Sequence, residues 1–380
     1  MNRLKLAVAG GRKTQSIVDS CLEAPRERRI LALTYTLNNQ RELVRRLAKH
    51  PPGAGVEVQG WFSFLLGHWV RPYLPTRWPG RRLRGFSFDG DPGMYTTGER
   101  RFLDDEGRAY KRHLAQLALE THQASSGAVL DRLSRIYDEI HIDEIQDLNG
   151  YDLEVLAELM GSPIELNLVG DIRQALILTN VQDPKNRQYK GVRIKAWFEM
   201  HEQRRRLSIT HEAATWRSNQ LIVDFADSIF DDSWGFSKTV SHNSAVTGHD
   251  GVFVLSPEHV DAYVSLYDPL CLRYSASSAT SLDLPFMNIG VAKGLSVDRV
   301  LIGPTAGMID FLRTGRTMGE VPSCSLYVAV TRARFSVAFV ADNPSRLQLP
   351  VWTPARTFGM VPHLSGRLSQ RFFGQQAVLL

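Results

Sequence analysis

The chain has 380 residues, of which 43% are hydrophobic and 22% charged, a composition typical of a globular protein with two or three domains. No apolar run approaches the roughly 20 residues that a membrane-spanning helix needs, so we expect a cytoplasmic protein without a membrane partner. The 45 basic residues exceed the 40 acidic ones, which is compatible with a polyanionic partner but does not establish one. Cys21, Cys271 and Cys324 lie far apart, as expected for buried thiols in a reducing compartment.

The first half of the chain has the pattern of a parallel α/β domain. A glycine turn follows the first apolar run and precedes an amphipathic helix from about Thr14, and helical periodicity returns at 97–135. The predicted strands occupy residues 4–9, 30–36, 136–142 and 166–169. Strands that alternate with helices in this way favour a parallel sheet covered by helices.

The second half repeats this alternation. A helix is predicted near 218–230, and strands are predicted near 252–255, 286–291, 299–303 and 335–341. We therefore expect an α/β fold with two domains of the same class. The predicted divisions are a first domain at 1–182 with a small helical and basic insertion at about 70–130, a second domain at 183–345 and a tail at 346–380.

Two adjacent carboxylates, Asp143 and Glu144, end the strand predicted at 136–142. Open α/β sheets bind ligands at the carboxyl ends of their strands. There, one carboxylate can hold a magnesium ion and its neighbour can activate a water molecule. Gln146 and Asp147 follow, where they could sense a bound ligand. A solvated acidic turn is the alternative, and a phosphate-binding loop elsewhere would decide between the two.

Such a loop is predicted between the first strand and the first helix, where residues 9–14 read Ala-Gly-Gly-Arg-Lys-Thr. Backbone N–H groups of Gly10 and Gly11 could bind phosphate there, Lys13 could reach terminal phosphates, and Thr14 could bind magnesium. Arg12 stands where such loops normally carry glycine, and a plain basic turn is the alternative. A phosphate-binding loop together with an acidic pair is the minimum set for nucleoside triphosphate hydrolysis.

Eight short segments in this order make the chain resemble superfamily 1 DNA helicases of the UvrD/Rep/PcrA type, as a short form with reduced accessory domains. The resemblance covers roughly residues 5–342. The segments are Ala-Gly-Gly-Arg-Lys-Thr at 9–14, Leu-Thr-Tyr-Thr-Leu-Asn at 33–38, Trp-Phe-Ser-Phe at 61–64, Asp-Glu-Ile-Gln-Asp at 143–147, Val-Gly-Asp-Ile-Arg-Gln at 169–174, Trp-Arg-Ser at 216–218, Ala-Lys-Gly-Leu at 292–295 and Tyr-Val-Ala-Val-Thr-Arg-Ala-Arg at 327–334.

The resemblance implies two RecA-like P-loop domains that hydrolyse ATP with Mg²⁺ between them. Asp143 would coordinate the metal together with Thr14, and Glu144 would orient the attacking water. Gln174 would contact the terminal phosphate, and Arg217 and Arg332 would stabilise the transition state as arginine fingers. The implied nucleotide-binding residues are Gly10, Gly11, Arg12, Lys13, Thr14 and Gly294. The implied nucleic-acid-binding residues are Thr34, Thr36, Asn38, Trp61, Ser63 and Lys293.

Aromatic residues depart from the family pattern. The family's base-stacking segment does not follow Gln174, and the candidates to replace it are Trp61, Phe62, Trp197 and Phe198, each of which could instead belong to the core. The insertion interleaves arginines with aromatics between Trp69 and Phe88, as expected of a single-stranded nucleic-acid surface. A solvated basic loop is the alternative.

Two hypotheses follow. The first is an ATP-dependent translocase or helicase, stimulated by single-stranded DNA or a tailed duplex and moving 3′-to-5′ as the family implies. The second is a nucleotide-gated DNA-binding sensor subunit that acts with a partner nuclease in DNA repair or phage defence. We expect no strand cleavage by this chain alone, because no nuclease carboxylate constellation stands out.

Overall fold

The computed structural model describes residues 2–88, 90–176, 179–180 and 183–354. The strands are β1 Asn2–Ala7, β2 Arg29–Thr34, β3 Gly55–Gly60, β4 Gly85–Ser87, β5 Arg108–Tyr110, β6 Glu139–Ile142, β7 Glu165–Gly170, β8 Leu207–Glu212, β9 Ala214–Thr215, β10 Val240–Ser241, β11 Gly251–Leu255, β12 Leu270–Arg273, β13 Met287–Asn288, β14 Val297–Gly303 and β15 Ala333–Val340. The helices are α1 Lys13–Glu23, α2 Leu37–Lys49, α3 Trp61–Phe64, α4 Leu74–Arg77, α5 Leu114–Ala124, α6 Ala128–Ile136, α7 Tyr151–Met160, α8 Ile194–Gln203, α9 Gln220–Ser228, α10 Val260–Tyr267, α11 Ala306–Thr314 and α12 Glu320–Val330.

The first sheet has six parallel strands in the order β3-β2-β6-β7-β1-β8. The predicted strands at 4–9, 30–36 and 166–169 correspond to β1, β2 and β7. The predicted start of the acidic strand at Ile136 is wrong, because α6 continues through Ile136 and β6 begins only at Glu139. Both α6 and β6 carry apolar residues on their buried sides, so the sequence pattern did not show where the helix ends and the strand begins.

Alternation along β2 explains why this sheet is covered on both faces. Ile30 and Ala32 point to a core cluster formed with α1 and α2, whereas Leu31 and Leu33 point to the main core. Successive side chains of a strand face opposite sides. An apolar run without polar interruption is therefore what a central parallel strand needs.

The second sheet has five parallel strands in the order β11-β15-β14-β12-β13. Val300 and Ile302 of β14 face the main core, while Leu301 faces a third cluster with α10. Four of these strands, β11, β13, β14 and β15, correspond to the four strands predicted for the second half, whereas β12 was not predicted. The α/β class is thereby confirmed, with two parallel sheets flanked by helices, as expected for two RecA-like domains.

The main core is continuous between the two sheets. It includes Leu4 and Ile140 of the first sheet together with Val252 and Phe339 of the second. Eight consecutive residues of α12, from Ser323 to Val330, are buried, so this helix packs on all sides. The two sheets therefore share one apolar interior.

Strand β8 pairs with β1 along its whole length, although it lies beyond the predicted boundary at 182/183. We propose that the first domain extends through Glu212. The predicted insertion corresponds to α4, the β4–β5 pair, α5 and part of α6. Of the predicted tail, residues 355–380 lie outside the described residues, whereas Val351 forms a bridge with Val254.

All three cysteines are buried and free, as predicted. No helix in the described part of the chain combines the length and hydropathy that crossing a membrane requires.

Candidate nucleotide-binding site

The carboxyl ends of β1, β7 and β6 are adjacent in the first sheet, and each is followed by a predicted site segment. The loop between β1 and α1 is short and turns at Gly10, whose φ is +74°. A Cβ at Gly10 would lie 2.4 Å from Thr215 Oγ1 and 2.6 Å from Arg217 Cβ. The loop therefore lies directly against the segment that leads into the second sheet, with room there only for glycine.

Lys13 begins α1 and is buried beneath this loop. Its Nζ donates to the carbonyl oxygens of Val8 at 3.1 Å and Ala7 at 3.3 Å, and lies 4.0 Å from Asp171 Oδ2. Burial lowers the pKa of Lys13, against the attraction of Asp171 and Glu144. An ammonium held by carbonyls in this way is close to where phosphate would lie. Because it is buried, a bound anion would stabilise its charge.

Thr14 and Asp143 meet across the first sheet, as the resemblance implies. Thr14 Oγ1 donates to Asp143 Oδ2 at 2.9 Å, and burial together with the neighbouring Glu144 raises the pKa of Asp143 to about 6. A hydroxyl and a carboxylate are the hard oxygen donors that suit Mg²⁺. In the described ranges, no group of three or more His, Cys, Asp or Glu could hold a metal ion.

Glu144 follows Asp143 in the left-handed region, at φ 58°. It accepts a hydrogen bond from Gln146 Nε2, and Lys293 Nζ lies 3.4 Å from its Oε2. Burial raises the pKa of Glu144, but Lys293 and Lys13 outweigh burial and hold that pKa at about 2. The group is therefore a carboxylate at neutral pH, as a base or water-orienting residue must be.

Lys293 lies inside the cleft rather than on a nucleic-acid surface, where the resemblance would place it. Its Nζ is 2.7 Å and 2.8 Å from the two carboxylate oxygens of Asp147, and only 6% and 1% of these two side chains are exposed. Although burial alone would lower the pKa of Lys293, Asp147 and Glu144 raise it. Burial raises the pKa of Asp147 to about 7 in spite of the nearby ammonium. The pair joins the acidic loop after β6 to the turn that precedes β14.

Gln174 connects the two sheets. Its Nε2 donates to Asp171 Oδ2 at 2.8 Å, and its Oε1 accepts from Arg332 Nη2 at 3.2 Å. Arg332 is fully buried, and burial followed by repulsion from Arg217 lowers its pKa to about 9. Arg332 remains charged at neutral pH. Burial also lowers the pKa of Arg217, whose Nη1 donates to the carbonyl of Thr331 at 3.1 Å.

Tyr327 of α12 is a contact that sequence reasoning missed. Its hydroxyl donates to Asp171 Oδ2 at 3.2 Å and accepts from the backbone N–H of Ala9 at 3.2 Å. A tyrosine in an apolar helix is normally interpreted as a core residue. Only its position in the segment at 327–334 could have indicated a role at the site. It ties the loop between β1 and α1 to the second domain.

These groups open into one cleft between the two sheets, with a volume of about 1090 Å³. Seven basic and three acidic side chains line it. The lining includes Gly10, Gly11, Arg12, Lys13, Thr14, Glu144, Gln174, Arg217, Lys293, Gly294 and Arg332. A concave site with this excess of positive charge suits a polyphosphate.

Trp216 forms one wall of the cleft. It is 38% exposed, it stacks on His242 at 5.0 Å, and the guanidinium of Arg12 lies 4.3 Å above its ring. Arg12 is exposed, and its guanidinium rests on this ring at the edge of the cleft. An aromatic face at the edge of a phosphate site is suited to stacking against a base.

The remaining residues with an implied nucleic-acid role do not form one surface. Thr34 is 1% exposed, Thr36 caps α2, and Asn38 lines the nucleotide cleft. Trp61 is 2% exposed and donates to Asp152 Oδ1 at 2.6 Å, so it is a core residue. Of the six, Asn38 and Ser63 are exposed. Among the other aromatic candidates, Trp197 and Phe198 are buried and Phe62 is half-buried.

A family model matches the segment that carries the acidic pair. Residues 106–177, which carry Asp143, Glu144 and Gln174, match the model of the UvrD/REP helicase N-terminal domain. A comparison with curated proteins finds no match. Among solved structures, the arterivirus helicase nonstructural protein 10 is similar at 12% identity over 91% of this chain, with a TM-score of 0.46 alone and 0.45 in its complex with DNA. This chain spans 62% and 63% of those two chains.

Proposed function

We propose that this chain is a superfamily 1 helicase-type ATPase that hydrolyses ATP with Mg²⁺ and is stimulated by single-stranded DNA. The observation that carries the proposal is the convergence of Lys13, the Thr14–Asp143 pair, Glu144, Arg217 and Arg332 on one cleft. These groups come from opposite sheets. A nucleotide bound among them therefore contacts both domains at once, which is what a motor driven by hydrolysis requires.

Each group has a role in phosphoryl transfer. Lys13 and the backbone of Gly10 and Gly11 would hold the phosphates, and Thr14 with Asp143 would hold Mg²⁺, which neutralises phosphate charge when bound. Glu144, ionised at neutral pH, would position the attacking water and accept its proton.

The two arginines would act on the transferring phosphate from the second domain. A guanidinium stays charged and binds phosphate oxygens as a fork, and an arginine finger contributes on the order of 10³ to 10⁵ in rate. Arg332 is bonded to Gln174 Oε1 at 3.2 Å, so a phosphate that engages Gln174 would also move Arg332. The 3′-to-5′ polarity remains a proposal from the resemblance alone.

The test is ATP hydrolysis by the full chain with Mg²⁺ and with single-stranded DNA, duplex DNA or RNA, run beside a tailed-duplex unwinding assay. Single-stranded DNA should raise the rate several-fold. Glu144→Gln should reduce turnover by about 10²-fold or more while nucleotide affinity is retained. The control is Glu258→Gln, which changes an exposed glutamate away from the cleft. Flat hydrolysis across a DNA titration would refute the stimulated ATPase.

A second candidate is a nucleotide-gated DNA-binding subunit that hydrolyses ATP slowly. It is favoured by the fact that the two cleft lysines already have protein acceptors: Lys13 the carbonyls of Ala7 and Val8, and Lys293 the carboxylate of Asp147. Nucleotide-dependent DNA affinity without strand separation would support it, and robust unwinding by the chain alone would exclude it. A nuclease partner and a role in DNA repair or phage defence remain predictions from the sequence.

A further inference from the structure

Among the described residues that line the nucleotide cleft, Trp216 is the one aromatic. Its backbone N–H donates to the carbonyl of Gly10 at 3.2 Å, which fixes the residue beside the loop between β1 and α1. A ring in this position is the surface on which the base of a bound nucleotide would stack. The groups that cover this ring therefore decide whether the base is recognised.

Two groups already pack on Trp216. His242 stacks on it, with ring centroids 5.0 Å apart and an interplanar angle of 25°, and the guanidinium carbon of Arg12 lies 4.3 Å from the same centroid. Arg12 lines the cleft, whereas His242 is not among the lining residues. The guanidinium therefore covers the side of the ring that faces the cleft, and a base that stacked there would have to displace it.

The backbone at the start of α1 directs Arg12 to this place. Arg12 has φ 55° and ψ 31° and is followed by Lys13, the first residue of the helix. The Lys13 side chain turns beneath the loop to the carbonyls of Val8 and Ala7, whereas Arg12 is exposed. The two neighbouring cations therefore lie on opposite sides of the loop, one under it and one on the wall of the cleft.

The guanidinium of Arg12 is free to bind an anion. Within the described ranges it forms no ion pair, whereas Arg334 on the same cleft is paired with Asp298 at 3.3 Å. A guanidinium stacked on an aromatic ring keeps the N–H groups along its edge available, and these bind phosphate oxygens as a fork. Arg12 thus offers phosphate contacts from the position that a base would otherwise occupy.

The side-chain amide next to this loop is already engaged. Gln15 follows Thr14 and lines the cleft. Its Nε2 donates to Asp19 Oδ1 at 2.7 Å, and its Oε1 accepts from Arg46 Nη1 at 3.1 Å. Because both ends of the amide are used, Gln15 is not available to read the hydrogen-bonding edge of a base. Recognition falls instead on the seven basic side chains of the cleft, which attract phosphate.

We propose that the cleft recognises the triphosphate chain rather than the base, and that Arg12 is the residue responsible. The substrates are then nucleoside triphosphates as a class, of which ATP is one. Arg12 takes the stacking position of the base on Trp216 and presents its N–H groups to phosphate. This inference rests on the proposed function and deepens it, because it names the substrate class of the same cleft.

The test measures equilibrium binding to the full chain by isothermal titration calorimetry, with Mg²⁺ and without nucleic acid. The ligands are the β,γ-imido analogues of ATP, GTP, CTP and UTP, which resist hydrolysis, and inorganic tripolyphosphate, which has no base. For the wild type, the four nucleotide affinities should lie within about 5-fold of one another, which is no more than the smallest contribution of one stacked base.

Arg12→Gly should uncover the ring of Trp216. The affinity for the ATP and GTP analogues should then rise relative to that for tripolyphosphate by about 5-fold or more, as expected for a base that gains a stacking partner. Affinity for tripolyphosphate itself should fall, because a cation that binds phosphate is lost. Adding Trp216→Ala to Arg12→Gly should abolish the relative gain, since the uncovered ring is then absent.

Arg205→Gly is the matched control. Arg205 is also an exposed arginine in the left-handed region, with φ 56°, and it follows α8 outside the cleft. Its replacement by glycine relieves the same kind of backbone strain and removes the same charge. This variant should bind every ligand like the wild type.

Two results would overturn the inference. The first is a wild type whose four nucleotide affinities spread over more than about 5-fold, because the base is then read. The second is an Arg12→Gly variant whose ratio of ATP-analogue affinity to tripolyphosphate affinity equals that of Arg205→Gly. The proposed function is tested separately by hydrolysis. Nucleotides that bind in the expected pattern but are not hydrolysed would refute the ATPase and leave the role of Arg12 in binding intact.

Discussion

Arg12 adopts a left-handed backbone conformation, with φ 55° and ψ 31°, immediately before α1. Glycine, which the resembled family carries at this position, adopts the left-handed conformation without a conformational penalty. For other residues this conformation costs roughly 1 kcal/mol of stability. The guanidinium lies over Trp216, and a cation–π contact of this kind contributes about 0.5–1 kcal/mol at an exposed site. The side chain therefore offsets part of the strain in its own backbone.

Comparing Arg12→Gly with Arg12→Ala separates these two effects. Both variants lose the contact with Trp216, but only glycine relieves the backbone strain. We expect Arg12→Gly to be more stable than Arg12→Ala by about 1 kcal/mol in urea-induced unfolding. Equal stabilities would mean that the loop changes conformation once the guanidinium is removed.

Lys293 compensates two buried carboxylates. Lys293→Met leaves Asp147 without its cation and removes one of the two lysines near Glu144, and breaking a buried pair in this way costs about 3–5 kcal/mol. The matched control is Lys185→Met, because Lys185 pairs with Glu154 with 43% and 33% of their side chains exposed, and such pairs contribute about 0–1 kcal/mol.

The measurement is the free energy of unfolding in urea. Adding Asp147→Leu to Lys293→Met should restore part of the loss, since the uncompensated charge is then removed. A loss no larger than that of Lys185→Met would contradict the assignment of Lys293 as the counter-charge.

The order of motifs along the sequence predicted which residues would meet at the proposed phosphate site. It did not predict contacts that depend on how a helix is oriented. Thr14 and Asp143 could be paired because β1 and β6 belong to one parallel sheet and their carboxyl ends share an edge. Trp61 and Phe62 could not be ranked, because which of two neighbouring aromatics is buried depends on the orientation of α3. Lys293 could not be assigned to the cleft either, since its acceptor Asp147 lies 146 residues away.

At the scale of elements, His249 packs between β11 and α10. Its ring stacks between Phe253 and Tyr267, with centroid distances of 4.3 Å and 4.0 Å, and its Nε2 lies 3.0 Å from the hydroxyl of Tyr263. Burial, followed by repulsion from Arg299, lowers the pKa of His249 to about 4. The folded state therefore holds this ring neutral.

This shift predicts a loss of stability in acid. Because the folded pKa lies below the unfolded value of about 6.5, the stabilisation is complete above pH 6.5 and declines as the pH falls toward 4, by at most about 3 kcal/mol. His249→Asn should reduce this pH dependence relative to the wild type, and the exposed His50→Asn should not. Parallel pH profiles of unfolding for His249→Asn and wild type would contradict the prediction.

Strands with strong apolar runs were predictable, while the insertion was not. Residues 97–135 have helical periodicity, and α5 and α6 appear there, but so does β5, whose three residues pair with β4. Such short strands carry too few residues for a period of two to be recognised. The π-helical turn at Leu65–Val70 packs against α5, and no local signal predicted it.

At the scale of the molecule, charged contacts join the two sheets in addition to the continuous core. Arg173 after β7 is 4% exposed, and its Nη1 is bonded to Asp227 Oδ1 of α9 at 2.7 Å. Lys293 and Asp147 form a second such pair. Neither could be predicted, because the residues they join belong to separate halves of the sequence.

The shared core predicts that the two domains unfold together, although chains of this size commonly unfold in stages. Differential scanning calorimetry should give one transition whose calorimetric enthalpy equals its van't Hoff enthalpy. Arg173→Met should lower the midpoint of that single transition and leave its shape unchanged. Two resolved transitions in the wild type would refute a common core and favour independent domains.

The position of Lys13 also has a consequence for kinetics. Its ammonium is hydrogen-bonded to the carbonyls of Val8 and Ala7. A nucleotide that enters the proposed site would therefore find this lysine already bonded to the protein. Capture of the phosphates then needs an internal step in which those two hydrogen bonds are exchanged for phosphate contacts. The observed association rate should therefore level off at high nucleotide concentration, at the rate with which the lysine leaves its carbonyls.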